Sequence, residues 1–392
     1  MPIAIFSLFL AAFTIGTTQF VVAGLLPPIS SDLGVSIPTA GYLVSGYAIG
    51  VAIGGPLVSL ALSRVAKKRA ILILMSIFVT GHVWCALAPS YETLMAARVF
   101  VSLSHGSFMG VAVVLAMSLV PPERRGSAIA VITAGITVAN VLGVPGGTAI
   151  GTALGWRATF WIIGGIAIVT ATVMTILLPA DKPRDGRGGN LAAQFRVLGQ
   201  QKVYVTFAII TSMMIGFWAL FTFVAPLLLE VSRVPLEWVA PYLIGFGVGA
   251  TAGSFAAGPL ADRWPTQTIL LAFPAQIAVF IAVMLFAGSG PAMAAVLFVL
   301  GFLMFLPNAS LISRVFQGAA AAPDFAATLI STVFNIGIAA GAWAGAQALN
   351  SGAGYQQLPW FGVAFGVVST GLAALTLALD RRKAPSPVTA ES

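Results

Sequence analysis

The chain has 392 residues, of which 59% are apolar and only 8% are Asp, Glu, Lys or Arg, and its mean hydropathy of +1.00 excludes a soluble globular domain. A single cysteine, Cys85, excludes an intrachain disulfide and reads as an ordinary apolar packing residue. The net charge of +8 could suit nucleic acid, but the basic residues sit in gaps between long apolar runs, where the positive-inside rule accounts for them.

A bilayer core of about 30 Å needs about 20 helical residues. Twelve runs qualify: 3–26, 40–62, 70–88, 91–119, 127–154, 156–179, 203–229, 237–261, 268–288, 290–317, 322–350 and 358–379. Each is predicted to be a helix, because a lone segment in lipid can satisfy its backbone only that way. The first run has no basic segment before it and is long for a signal-peptide core, so it reads as a retained helix. The fold class is therefore all-α integral membrane.

The charges set the expected orientation. Arg64, Lys67, Lys68 and Arg69 follow span 2, and Arg124 and Arg125 follow span 4. Lys182, Arg184, Arg187, Arg196 and Lys202 follow span 6, Arg263 follows span 8, Arg314 closes span 10, and Arg381, Arg382 and Lys383 follow span 12. The opposite gaps hold only Arg157 and Arg233. Even-numbered exits and both termini are thus expected in the cytoplasm. Residues 1–179 are expected to form one six-helix bundle and 203–380 a second. A cytoplasmic linker over 180–202 would carry a short surface helix at 191–198, and 381–392 would be a disordered cytoplasmic tail. Span 2 ends GGPLVSLALSR (54–64) and span 8 ends GSFAAGPLADR (253–263), a trace of an internal repeat. Parallel six-helix repeats with a site between the halves are a known basis for secondary transporters.

Polar residues within the runs are the site candidates. In span 1, Gln19 can hydrogen-bond a ligand but cannot carry a proton, and a bond to another helix would equally explain it. In span 4, Arg98 should face the bundle interior or a water-filled cavity, unless it serves only to bind backbone carbonyls. His105 follows seven residues later, on much the same helical face. It is either a cavity-lining group that titrates near neutral pH or a packing residue beside Gly106. His82, near the outer end of span 3, reads as structural. In span 5, Gly143, Pro145, Gly146, Gly147 and Gly151 are spaced for close helix approach and a loosened hydrogen-bond ladder. Asn140, just before them, needs a partner from packing or from substrate. Trp218 and Phe221 in span 7 could stack on a substrate or simply pack. Asn308 follows Pro307 in span 10, where freed backbone groups need partners. Asn335 lies in span 11.

The segments GTTQFVVAGLLPPIS (16–30), SIPTAGYLVSGYAIGVAIGGPL (36–57), SHGSFMGV (104–111), TVANVLGVPGGTAIGTALGWRATF (137–160) and FNIGIAAGAWAG (334–345) carry a resemblance. Over essentially the whole chain they look like the major facilitator superfamily. The nearer likeness is to its proton-driven exporters, the subgroup with arabinose-efflux-type permeases, purine-efflux permeases and chloramphenicol-resistance exporters. The resemblance implies two pseudo-symmetric six-helix bundles that rock about a central site. It makes the span 5 cluster an exporter motif and ties Arg98 to proton transfer or substrate binding. It also implies a cytoplasmic gate of Arg64 and Arg69 in the first half, and of Gly258, Asp262 and Arg263 in the second. Two departures stand out: Gln19 replaces a Glu common in relatives, and Ser63 replaces the Asp of the first gating loop.

The expected function is a secondary active exporter of small organic molecules, with proton antiport implied by the resemblance. Every Asp and Glu lies in a loop, in the tail or near a span end, so a cation at the midplane would lack a counter-charge. Neutral or weakly anionic substrates follow: phenicols, sugars, or nucleosides and bases. No Walker loop, metal-ligand cluster or catalytic triad occurs, so neither enzyme activity nor a cofactor is expected. The expected partners are a small-molecule substrate, protons and the lipid of a bacterial inner membrane, with the chain a monomer and no nucleic acid bound. The alternatives are an uncoupled facilitator, a nutrient importer on the same fold, or a non-transporting sensor.

Overall fold

The computed structural model describes residues 3–179, 199–319 and 323–383. Among them are twelve helical spans and no strand. The first bundle holds α1 (Ala4–Leu33), α2 (Ile37–Ala61), α3 (Lys67–Leu87), α4 (Tyr91–Ser118), α5 (Pro122–Leu154) and α6 (Trp156–Leu177). The second holds α7 (Gln201–Phe221), α8 (Leu236–Arg263), α9 (Pro265–Phe286), α10 (Gly290–Gly318), α11 (Ala326–Asn350) and α12 (Tyr355–Thr376).

Local chemistry sets the helix starts. Gly34 takes a left-handed φ of 64° between α1 and α2, a conformation without penalty for glycine. Ser36 then caps α2 by accepting from the Thr39 N–H at 3.2 Å, and Ser90 caps α4 through the Thr93 N–H at 3.3 Å. Large apolar side chains on the outside, among them Phe6, Leu60, Ile176, Phe255, Leu271 and Leu285, are 64% to 77% exposed, which suits a surface solvated by lipid.

The two bundles repeat one packing scheme. In the first, α2 packs on α4, α3 on α4 and α6, and α1 on α5 and α6. In the second, α8 packs on α10, α9 on α10 and α12, and α7 on α11 and α12. Glycine makes the tightest pair possible in both. Gly55 and Gly106 meet backbone to backbone between α2 and α4, and Gly249 and Gly253 abut the Phe298 and Phe302 carbonyls between α8 and α10. The bundles join through α2 against α11 and through α5 against α8, the same pair of positions exchanged. The repeat glimpsed in the sequence is therefore a repeat of helix contacts.

Several boundaries differ from the sequence expectation. The basic residues Lys67, Lys68 and Arg69 form the first turn of α3 instead of a loop. The helix that carries the α12 span, Pro359–Lys383, continues through Arg381 and Arg382 instead of ending at 379. Span 7 does not run unbroken to 229: α7 stops at Phe221, and a π-helical turn covers Leu227–Val231 after Pro226. Span 10 breaks between Phe305 and Asn308 at Pro307, which has no N–H to extend the ladder. In α5 a π turn over Ala139–Gly143 precedes Pro145, the loosening expected of that proline. The surface helix at 191–198 and residues 384–392 lie outside the described residues.

Candidate functional site

One turn of α1, residues 17 to 20, reaches four neighbours. The Thr17 side chain fills the space above Gly143 of α5. The Thr18 hydroxyl meets His82 Nε2 of α3 at 2.8 Å. Gln19 Nε2 donates to Asn335 Oδ1 of α11 at 3.3 Å, and Asn335 Nδ2 in turn donates to the Ser331 carbonyl. Phe20 stacks on Trp218 of α7, with ring centroids 5.3 Å apart. The first two contacts stay within the first bundle, and the last two cross into the second.

His82 is fully buried, and both its ring nitrogens are used. Nδ1 lies 2.8 Å from the Phe78 carbonyl, which can only accept, so Nδ1 carries the proton. In the neutral ring Nε2 then accepts from Thr18. Both nitrogens are thus occupied and the ring is closed to the centre, in line with its structural reading.

Arg98 is fully buried too. Its Nη1 donates to the Thr18 carbonyl at 2.9 Å, and its guanidinium carbon sits 4.1 Å over the Tyr47 ring of α2. Nε and Nη2 have no hydrogen-bond partner, and the salt bridge found among the described residues is elsewhere. A buried cation without a carboxylate costs several kcal/mol, and each stranded donor adds about 1–3 kcal/mol. Arg98 thus faces the bundle interior, as an arginine in a span must. His105 lies on the same face, as its spacing implied: its Nδ1 is 3.0 Å from the Tyr47 hydroxyl, and part of its surface is exposed. Tyr47, which the sequence did not single out, is buried between them.

The remaining candidates scatter around this centre. Asn140 sits in the π turn of α5, is partly exposed and makes no side-chain hydrogen bond to the described residues. Its carbonyl is where α5 meets Gly247 of α8. Asn308 Oδ1 is buried without a partner beside the α10 break. Trp218 packs edge-on against Phe217 and Phe221, so only one of its faces is turned to Phe20. In the span 5 cluster, Gly143, Gly147 and Gly151 face Thr17, Val21 and Leu25 of α1, while Pro145 is buried. Gly146 departs from the close-approach expectation, because a Cβ there would meet nothing within 4 Å.

At the end away from the basic loops the bundles are fastened. The Tyr42 hydroxyl donates to Gln347 Oε1 at 2.8 Å and accepts from Asn350 Nδ2 at 3.1 Å. The Phe223 ring fills the notch between Gly41 and Gly345. Lower down, Thr332 Oγ1 reaches the Ala52 carbonyl at 3.3 Å. At the same end as Tyr42, Asp32 pairs with Arg157 and accepts from Trp156 Nε1 at 3.0 Å, and Arg157 also binds the Ala88 carbonyl. At the basic end, Arg64, Arg69, Asp262 and Arg263 are exposed, and Gly258 has open space above it.

A family model described as Major Facilitator Superfamily matches residues 8–342. The chain belongs to the major facilitator superfamily. It is a multi-pass membrane transporter of that superfamily with twelve spans. It is 34% identical to the inner membrane transport protein YdhP of Escherichia coli (strain K12) over 384 residues, 97% of each chain. It is 36% identical to the chloramphenicol resistance protein of Streptomyces lividans, covering 87% of this chain and 88% of that one. Among solved structures it resembles a bacterial homologue of the human lysosomal transporter Spinster, in an inward-facing and unoccupied conformation. The TM-score is 0.77 at 19% identity, over 98% of each chain, a likeness of fold alone. The resemblance read from the motifs is that of the major facilitator exporters, and these relatives agree with it.

Proposed function

We propose that this transporter is a secondary active exporter of small neutral or weakly anionic organic molecules in a bacterial inner membrane. The observation that carries this reading is the asymmetry of the junction between bundles. Tyr42, Gln347, Asn350 and Phe223 fasten one end, while Arg64, Arg69, Asp262 and Arg263 are exposed at the other. Such an asymmetry suits one half of an alternating-access cycle. With the basic loops cytoplasmic, both termini are inside and the fastened end is the outer one. The substrate site would lie between Gln19, Asn140, Trp218, Asn308 and Asn335, with Arg98 and His105 behind it. The relatives' printed names support an inner membrane location and a drug of the phenicol kind.

The substrate class follows from the site's chemistry. Amides, aromatics and a buried arginine offer a ligand hydrogen bonds, stacking and positive potential, and no carboxylate is among them. The chain is expressed in a host lacking its own efflux pumps and challenged with phenicols, sugars, nucleosides and ethidium-like cations. Export of neutral compounds is expected; resistance to the cations alone would overturn the reading.

Proton exchange is the coupling we favour, with His105 as carrier. An uncoupled facilitator is the second reading, favoured by Gln19 standing where relatives keep an acid. Proteoliposome flux with and without an imposed pH gradient separates the two, and unchanged coupling in His105→Ala would reject the histidine.

A further inference from the structure

We infer that Tyr47 is a positioning residue that passes the protonation of His105 to Arg98, and through Arg98 to the α1 turn that joins the two bundles. This rests on the reading of His105 as the proton carrier and adds the route by which its charge is felt.

The geometry is a continuous chain. His105 Nδ1 is 3.0 Å from the Tyr47 hydroxyl, and their ring centroids are 5.9 Å apart. The Tyr47 face carries the Arg98 guanidinium at 4.1 Å. Arg98 Nη1 holds the Thr18 carbonyl at 2.9 Å. The next two residues, Gln19 and Phe20, make the contacts to Asn335 and Trp218 of the second bundle. Tyr47 itself lies on α2, the helix that packs on α11 of that bundle. Arg98 therefore sits between α1 and α2, both of which reach α11.

The chemistry of the joint is two-valued. While Nδ1 of His105 is unprotonated, the Tyr47 hydroxyl donates to it. An imidazolium carries protons on both nitrogens, so Nδ1 then donates and the phenol proton must turn away. Tyr47 would then have a cation at its hydroxyl and another over its face, and the two repel. Arg98, with Nε and Nη2 unpartnered, has donors to spare for a new position. The other titratable groups around the chain are Cys85 and His82 of α3, which interact electrostatically with Arg98, and Cys85 also with Tyr47. Neither competes: His82 is committed at both nitrogens, and no Asp or Glu of the described residues acts on His105, Tyr47 or Arg98.

Tyr47→Phe removes the hydroxyl and keeps the ring under Arg98. The expected result, in proteoliposome counterflow with a phenicol, is at least a fivefold loss of the rate change between pH 6 and pH 8. A pH profile identical to that of the parent chain would overturn the inference. Should that variant not fold, the parent protein still decides. The chain has two histidines and six tyrosines, so ring-labelled histidine and tyrosine give few NMR signals. One tyrosine signal should move with pH in step with one histidine, while the other histidine stays fixed. If no tyrosine follows the titrating histidine, the relay does not exist. A parent chain whose counterflow does not change with pH, or that exports nothing, would instead fail the coupling reading or the exporter reading.

Discussion

The Thr18 side chain and main chain serve two different helices: its hydroxyl donates to His82 Nε2 at 2.8 Å, and its carbonyl accepts from Arg98 Nη1 at 2.9 Å. One residue of α1 thus holds α3 and α4 in register with it. Thr18→Val keeps the shape and the carbonyl but strands His82 Nε2. The loss should be about 1–2 kcal/mol, the scale of polar contacts between membrane helices, and Thr18→Ser should recover most of it. Thermal unfolding in detergent measures both variants.

Gln19→Glu places an acid beside Asn335, whose amide can turn to donate. A fixed negative charge there would give cations the counter-charge they lack. The variant should gain ethidium export that the parent chain lacks, read as fluorescence loss from preloaded cells. An unchanged cation profile would show that Gln19 does not reach the substrate.

Glycines of the span 5 cluster should not be equivalent. A methyl at Gly143 would overlap the Thr17 hydroxyl, and one at Gly147 would press on Val21. Alanine at either should cost about 1–3 kcal/mol by overpacking. Gly146→Ala meets nothing within 4 Å and should lie within about 0.5 kcal/mol of the parent. Unfolding midpoints of the three single variants test the order.

Tyr42→Phe removes the two hydrogen bonds that tie α2 to Gln347 and Asn350. At partly exposed positions their joint worth is roughly 1 kcal/mol, enough to move a two-state equilibrium several-fold. Spin labels replacing Leu60 and Trp264, both exposed near the basic end, should show a larger short-distance population in this variant.

The fold was legible because lipid leaves the chain so few choices. Run length, the absence of charge and the alternation of basic gaps settle helices, their number and their pairing into halves. Arg157 was an exception to that alternation, and Asp32 pairs with it. Contacts were less legible. Residues at 98 and 105 share a face by helix geometry, so their convergence could be foreseen, but nothing in the sequence marks Tyr47 as the residue between them. Tyrosine is at home in many apolar helices, and only the α2–α4 crossing at Gly55 and Gly106 brings this one to His105. The break at Phe221 also escaped notice, since hydropathy runs straight through it, whereas Pro307 marked the one in span 10.

The turn from Thr17 to Phe20 has no idle side. Four successive residues address four different helices, so a slip of α1 by one position would hand every partner the wrong side chain. Such a helix can exchange one side chain for another of similar reach. It cannot gain or lose a residue upstream without unseating both bundles. Over that stretch, α1 acts as the key whose notches set the spacing of the other helices.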